Sequence, residues 1–288
     1  MSMRLPDWIR TKHRPEGLRS TSRLLRRHGL STVCEEARCP NKSECFSKPT
    51  ATFMILGSEC TRNCGFCSVT KSAPKPPDEY EPLRVALASE EMGLKYIVLT
   101  SPTRDDLPDG GAGHFAKTVL EIKKRLPNTT VEVLTPDFRG SIDALKTVLE
   151  SGPDVFNHNV ETVPRLYPVV RPQADYMRSL SLLKEAKRLS PRTKIINTKS
   201  GLMVGLGERV EEVLDVMADL REAGCDFLTI GQYLMPAKAN LPVVEYLTPE
   251  VFEELRVKAL GMGFKYAASS PLVRSSMNAE EVYGNVNV

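Results

Sequence analysis

A recurrence limits what this chain can fold into: a short apolar run, a loop, then an amphipathic helical stretch. The runs are TATFMILG (50–57), KYIVLTSP (95–102), TTVEVLTP (129–136), DVFNHNVE (154–161), TKIINTKSGLMVG (193–205) and DFLTIGQYL (226–234). Their β-branched and aromatic content and their Gly and Pro stops predict strands. Between them apolar residues return at helical spacing, as at Phe115, Val119, Ile122 and Leu126, or at Val210, Val213, Leu214, Met217 and Leu220. Gly224 stands where the second of these helices should stop. Such alternation predicts a parallel sheet with right-handed crossovers. Six units are too few for the closed eight-unit barrel, and a doubly wound open sheet is the alternative. In either case ligands gather at the C-terminal ends of the strands. Polar residues stand at those ends: Thr100, Ser101 and Asp106; Asn157, His158, Asn159 and Glu161; Lys199 and Ser200; Gln232 and Tyr233.

Six of the seven cysteines fall between Cys34 and Cys67, and only Cys225 lies elsewhere. That crowding argues for metal, while Cys225, between a helix and a strand, reads as a buried core thiol. Directly after the first strand, SECTRNCGFCSV spaces Cys60, Cys64 and Cys67 as C-x3-C-x2-C. Three thiolates cannot complete a tetrahedral zinc site, but they can hold three irons of a [4Fe–4S] cluster and leave the fourth open. Gly65 is expected to permit tight curvature, and Thr61 and Asn63 suit turns. A zinc site completed from afar is the competing reading, although His13, His28, His114 and His158 show no paired ligand spacing. A net charge of +3 is too small to argue for nucleic acid or membrane. No run of 18 apolar residues occurs, and the N-terminal stretch lacks the apolar core of a secretory signal. A cytoplasmic, reducing location with free thiols is the expectation.

The C-x3-C-x2-C spacing, with Phe66 before its last cysteine, resembles the radical S-adenosylmethionine superfamily. The resemblance implies a partial (β/α)6 barrel. It also implies that the open iron grips the amino and carboxylate groups of S-adenosylmethionine, and that one electron cleaves its sulfonium to give a 5′-deoxyadenosyl radical. Such a radical takes hydrogen from an unactivated C–H bond, which acid–base groups cannot do. GLMVGLGE (201–208) resembles the family's G-x-I-x-G-x-x-E segment, with Gly201, Met203, Gly205 and Glu208 beside the adenine. Contacts to S-adenosylmethionine are expected from Phe66, Thr100, Asn159, Glu161 and Met203.

A second triplet, Cys34, Cys39 and Cys45, is spaced C-x4-C-x5-C before the first strand. Together the two triplets resemble the lipoyl synthase family. PLVRSSM (271–277) is similar to that family's Arg-Ser-Ser-Tyr signature, with Met277 where the family has Tyr. The resemblance implies that Ser276 is an oxygen ligand to an auxiliary [4Fe–4S] cluster held by Cys34, Cys39 and Cys45, with Arg274 close by. An oxygen ligand is harder than thiolate and suits a cluster that is taken apart. It implies two [4Fe–4S] clusters, one cleaving S-adenosylmethionine at Cys60, Cys64 and Cys67 and one consumed as sulfur donor. The product would be the lipoyl group, by sulfur insertion at C6 and C8 of a protein-bound octanoyl-lysine. Implied partners are an octanoylated lipoyl carrier domain or H protein, an electron donor such as ferredoxin or flavodoxin, and an iron–sulfur carrier for rebuilding. The expected layout is residues 1–49 as an extension with the auxiliary cysteines, 50–248 as the barrel core, and 249–288 as an extension with the RSS motif. Arginines and lysines of 9–29 (Arg10, Lys12, Arg14, Arg19, Arg23, Arg26, Arg27) read first as a solvated helix face, and second as a steering surface for an acidic carrier. Another radical sulfur-inserting enzyme, a zinc-binding interaction module and a two-cluster electron carrier are the alternatives.

Overall fold

The computed structural model describes residues 4–9, 15–47, 52–190, 196–277 and 279–280. All six expected strands form within them: β2 (Thr52–Met54), β5 (Tyr96–Thr100), β6 (Thr130–Leu134), β7 (Val155–Asn157), β8 (Asn197–Val204) and β9 (Phe227–Gln232). Expected strand residues 50, 51 and 193–195 lie outside the described residues. A further strand, β10 (Tyr266–Ser270), pairs parallel with β9, and a two-residue strand, β1 (Ser31–Thr32), pairs antiparallel with β2. The sheet order is β1-β2-β5-β6-β7-β8-β9-β10. A small pair, β3 (Glu59–Cys60) with β4 (Thr70–Lys71), stands apart in the cysteine loop.

The parallel strands follow one another in chain order, with no reversal. That excludes the doubly wound alternative, which needs a switch point. Helices cover one face: α4 (Glu81–Glu91) packs on α5 (Ala112–Arg125), α5 on α6 (Ile142–Glu150), and α6 on α8 (Tyr176–Leu189). Helices α9 (Val210–Glu222) and α10 (Pro249–Gly261) follow β8 and β9. In α5, Phe115, Val119 and Ile122 are fully buried; in α9, Val213, Met217 and Leu220 are buried, whereas Val210 in the first turn is exposed. β5 is buried along its whole length, as expected of a parallel strand covered on both faces.

On its other face the sheet carries a buried charge pair. Lys199 Nζ lies 3.1 and 3.0 Å from the two carboxylate oxygens of Glu132, which also accept from Asn157 Nδ2 (2.7 Å) and Tyr96 Oη (2.6 Å). Lys199, expected among the strand-end polar groups, is thus spent on holding β5 to β8 together. Pairing and hydrogen bonds of this kind offset the cost of burying charge. Cys225 is fully buried, as expected, with its thiol 3.2 Å from the Phe227 carbonyl.

The N-terminal region adds α1 (Pro15–Arg27), α2 (Val33–Glu36) and α3 (Lys42–Ser47). α1 packs on α3, and Thr21 Oγ1 donates to Phe46 O at 2.8 Å. Short helix α7 (Tyr167–Val170) sits between β7 and α8. No helix among the described residues is long and apolar enough to cross a membrane.

Candidate active site

The loop after β2 carries Cys60, Cys64 and Cys67 and is stitched to neighbouring strand ends. Thr61 donates to Thr103 O from both N (3.0 Å) and Oγ1 (2.9 Å). Gly65 N donates to Val170 O at 2.9 Å, Leu241 N returns to Gly65 O at 3.0 Å, and Asn240 Nδ2 holds Cys67 O at 3.0 Å. Gly65 does not adopt a left-handed conformation, so curvature is not why glycine stands there. A Cβ would lie 2.8 Å from Leu241 Cδ1 and 3.2 Å from Val169 O; the need is for close approach.

Between the first two thiols, Arg62 turns inward and forks onto two carboxylates. Its Nε lies 2.7 Å from Asp105 Oδ2 and its Nη2 2.6 Å from Asp137 Oδ1. Burial opposes ionisation of Asp137, but the Arg62 guanidinium overcomes it and holds the carboxyl well below the usual carboxylate range. Arg178 approaches the other oxygen of Asp137 at 3.3 Å. Arg171, beyond β7, caps the Asn159 and Val160 carbonyls at 3.0 Å each and lies over the Tyr167 ring.

The thiols suit a cationic centre. Burial pushes Cys67 up to about 12, and the neighbouring Cys64 and Cys60 add to the rise. Cys64 is also raised, by burial first, with Arg171 opposing. Cys60 Sγ accepts from Arg62 N at 3.4 Å and Thr103 N at 3.3 Å, the kind of backbone donor that tunes cluster sulfur. Cys64 and Cys67 resist losing protons unless positive charge compensates them, which cluster irons would do. The donor set fits a cluster. None of the seven cysteines is in a disulfide.

The second triplet faces the same space. Burial pushes the Cys34 thiol up to about 12, and Cys39 and Cys45 again add to the rise. The C-terminal turn completes this side. Arg274 Nη1 donates to Val273 O at 2.5 Å, and burial lowers the proton affinity of its guanidinium, opposed by Cys39 and Glu161. Ser276 lines the cavity, and no hydrogen bond of its hydroxyl is seen among the described residues. Asn41, two residues after Cys39, donates from Nδ2 to Leu272 O (2.6 Å) and Met277 Sδ (3.2 Å). Its Oδ1 is buried without a partner.

A cavity of about 420 Å³ joins the two sides, lined among others by Cys34, Cys39, Cys45, Cys67, Ser276 and Glu161. Phe66, Asn159 and Met203 also border it. Thr100 does not: it is buried, with its hydroxyl 3.0 Å from Leu134 O. Glu208 caps its own turn, accepting from Gly205 N and, at 2.9 Å, from Leu206 N. Among the described residues no three His, Cys, Asp or Glu side chains are grouped as ligands of a single metal ion. Sequence reasoning missed Asn41, Arg62 and Arg171. The first two sit inside the cysteine motifs, and that position was the available signal.

The family model described as the Radical SAM superfamily matches residues 54–220. Among solved structures, methylornithine synthase aligns over 81% of this chain and 79% of its own at TM-score 0.55 and 14% identity. The maturase HydG from Carboxydothermus hydrogenoformans aligns over 74% of this chain and 51% of its own at TM-score 0.58 and 17% identity. These structures share the fold. The chain is 56% identical over 280 residues to a lipoyl synthase of Caldanaerobacter subterraneus subsp. tengcongensis, covering 97% of each. It is 55% identical over 282 residues to one of Caldicellulosiruptor saccharolyticus, covering 98% of each. Fold and thiol loop thus define a radical S-adenosylmethionine protein. Within that class, the chain belongs to the lipoyl synthase family.

Proposed function

We propose that Cys60, Cys64 and Cys67 hold the [4Fe–4S] cluster that engages S-adenosylmethionine, and that Cys34, Cys39 and Cys45 with Ser276 hold a second. The enzyme inserts two sulfur atoms at C6 and C8 of an octanoyl chain carried on a protein lysine. One observation supports the residue assignment: Cys34, Cys39, Cys45 and Ser276 border a single cavity together with Cys67, the last thiol of the other set. When bound, the first cluster supplies the electron that opens the sulfonium and the second supplies sulfur.

The chain's own residues arrange this encounter. Val33, Leu202, Met203, Leu234 and Met235 give the cavity apolar walls that suit an alkyl chain and exclude water. Glu161 and Asn159 supply acceptor and amide groups for the nucleoside or its amino group, beside Phe66. Arg274 holds the Val273 carbonyl, in the turn that carries Ser276. Holding both reactants before the radical forms limits stray damage.

The substrate arrives on a carrier, an octanoylated lipoyl domain or H protein. Arg19, Arg23 and Arg26 are exposed on α1 and present a basic surface to it, while Arg27 and His28 pair with Glu91. Arg10, Lys12 and Arg14 lie outside the described residues. Electrons come from a small donor such as ferredoxin or flavodoxin, and an iron–sulfur carrier rebuilds the spent cluster in the cytoplasm.

Anaerobic incubation with S-adenosylmethionine, reductant and an octanoyl-lysine peptide tests the assignment. Mass spectrometry should find two added sulfur atoms with the intact enzyme. A Cys34/Cys39/Cys45→Ala variant should still release 5′-deoxyadenosine but add no sulfur. Sulfur insertion by that variant would overturn the division of labour.

A further inference from the structure

One hydrogen-bonded pair joins the barrel side of the cavity to the C-terminal turn. The Ser275 hydroxyl lies 2.8 Å from Nδ2 and 3.0 Å from Oδ1 of Asn159, 116 residues away in sequence. Asn159 Nδ2 also reaches Glu161 Oε1 at 3.2 Å. Glu161 has φ +65°, the left-handed region that a side-chain-bearing residue rarely adopts without a reason. Backbone bonds hold it there, from Glu161 N to Gly201 O (3.0 Å) and from Met203 N to Glu161 O (2.9 Å).

Gly201 makes room for the pair. A Cβ there would lie 2.4 Å from Thr229 Oγ1, 2.9 Å from Ser275 Oγ and 3.0 Å from Asn159 Oδ1. Its φ is not in the left-handed region, so space alone requires glycine. The barrel thus keeps a socket, floored by Gly201 and Asn159, that the Ser275 hydroxyl fills. The next residue, Ser276, borders the cavity that Cys34, Cys39 and Cys45 also line. Asn41 holds the same turn from the opposite side, at Leu272 O and Met277 Sδ.

We propose that Ser275 is a positioning residue that couples the two sides of the site. Its hydroxyl orients Asn159 and, through Asn159, Glu161 for S-adenosylmethionine, so nucleoside binding and docking of the C-terminal turn stabilise each other. The inference rests on the assignment of this cavity to S-adenosylmethionine. Coupling between two binding events is reciprocal by thermodynamic necessity. A turn released when its oxygen ligand lets go would therefore loosen its hold on the nucleoside, and a bound nucleoside would tighten the turn.

The test uses reconstituted holoenzyme. S-adenosylmethionine binding is measured by equilibrium dialysis and by the change it produces in the cluster's paramagnetic resonance signal. Hydrogen exchange of residues 271–277 is followed with and without the nucleoside. In the unmodified enzyme the nucleoside should slow exchange across 271–277. In Ser275→Ala, affinity should fall about tenfold, the scale of one hydrogen bond to a buried group, and the protection of 271–277 should disappear. Iron content and melting temperature of the variant identify any general loss of structure. Adding Ser275→Ala to Asn159→Ala should weaken binding no further, because the effect passes through Asn159. Unchanged affinity in Ser275→Ala, additive effects in the double variant, or no protection of 271–277 in the unmodified enzyme would each overturn the coupling alone. Failure of the unmodified holoenzyme to bind S-adenosylmethionine would overturn the site assignment and this inference with it.

Discussion

The loop carrying Cys60, Cys64 and Cys67 and the assembly carrying Cys34, Cys39, Cys45 and Ser276 face one cavity, yet they are held by different forces. The first is continuous in sequence and locked to the barrel by charge: Arg62 forks onto Asp105 and Asp137, and Asp137 is fully buried. The second is built from two chain regions more than 200 residues apart and held by neutral contacts. Asn41 reaches Leu272 and Met277, and Ser275 reaches Asn159. Buried charge pairs are costly to break, because a lost partner leaves an uncompensated charge. Neutral hydrogen bonds add about 1 kcal/mol each and exchange readily with water. On the proposed assignment, a centre that persists through turnover suits the first kind of mounting, and one that is dismantled and rebuilt suits the second.

The largest expected effect tests the charged mounting. Arg62→Leu takes the nearer cation from buried Asp137, leaving only Arg178 at 3.3 Å, and should cost about 3 kcal/mol, read as a lower urea midpoint of the metal-free protein. Arg62→Lys keeps the charge but loses the fork, and should cost less. A loss below 1 kcal/mol for Arg62→Leu would remove the contrast between the two sides.

A second effect belongs to the barrel side alone. His158 is buried between Thr135 O and Ser179 Oγ, at 2.9 and 3.0 Å. Burial lowers its pKa from 6.5 to about 4, with the Arg171 charge adding to the fall. The unfolded chain therefore takes up this proton first. Stability from this group is complete above about pH 6.5 and declines toward pH 4, by about 3 kcal/mol over the window. Urea titrations at several pH values should show the decline, and His158→Gln should flatten it. An unchanged slope in that variant would place the proton uptake elsewhere.

The smallest effect probes the neutral side. Asn41→Leu removes two hydrogen bonds to the C-terminal turn, together with one buried oxygen that has no partner. It should lower global stability by only about 1 kcal/mol while speeding proteolysis after residue 271. A global loss as large as that of Arg62→Leu would show that both sides are mounted alike.

The departure at Met277 gains a physical meaning here. The sulfur accepts from Asn41 Nδ2, so the side chain still ties the turn to the second triplet. Gly65 and Gly201 show the limit of reading glycine from sequence. Gly65 reads as a point of curvature and Gly201 as part of the adenine segment, yet both are required by a neighbour that comes too close for a Cβ. Thr100 stood at the right strand end but turned its hydroxyl to a backbone carbonyl. Position along a strand is legible, while side-chain direction depends on what the next strand offers.

The sequence alone determined the strands, their alternation with helices, and two thiol triplets each short of a ligand. Those features are written in near neighbours: strand and helix periods, turn residues, and spacings short enough for one loop. Only the tertiary structure decided that β10 extends the sheet, that Arg62 is buried against two acids, and that Ser275, Ser276 and Asn41 meet around one cavity. Contacts between residues 116 or 231 positions apart leave no local trace, because they arise where the folded path brings two stretches together.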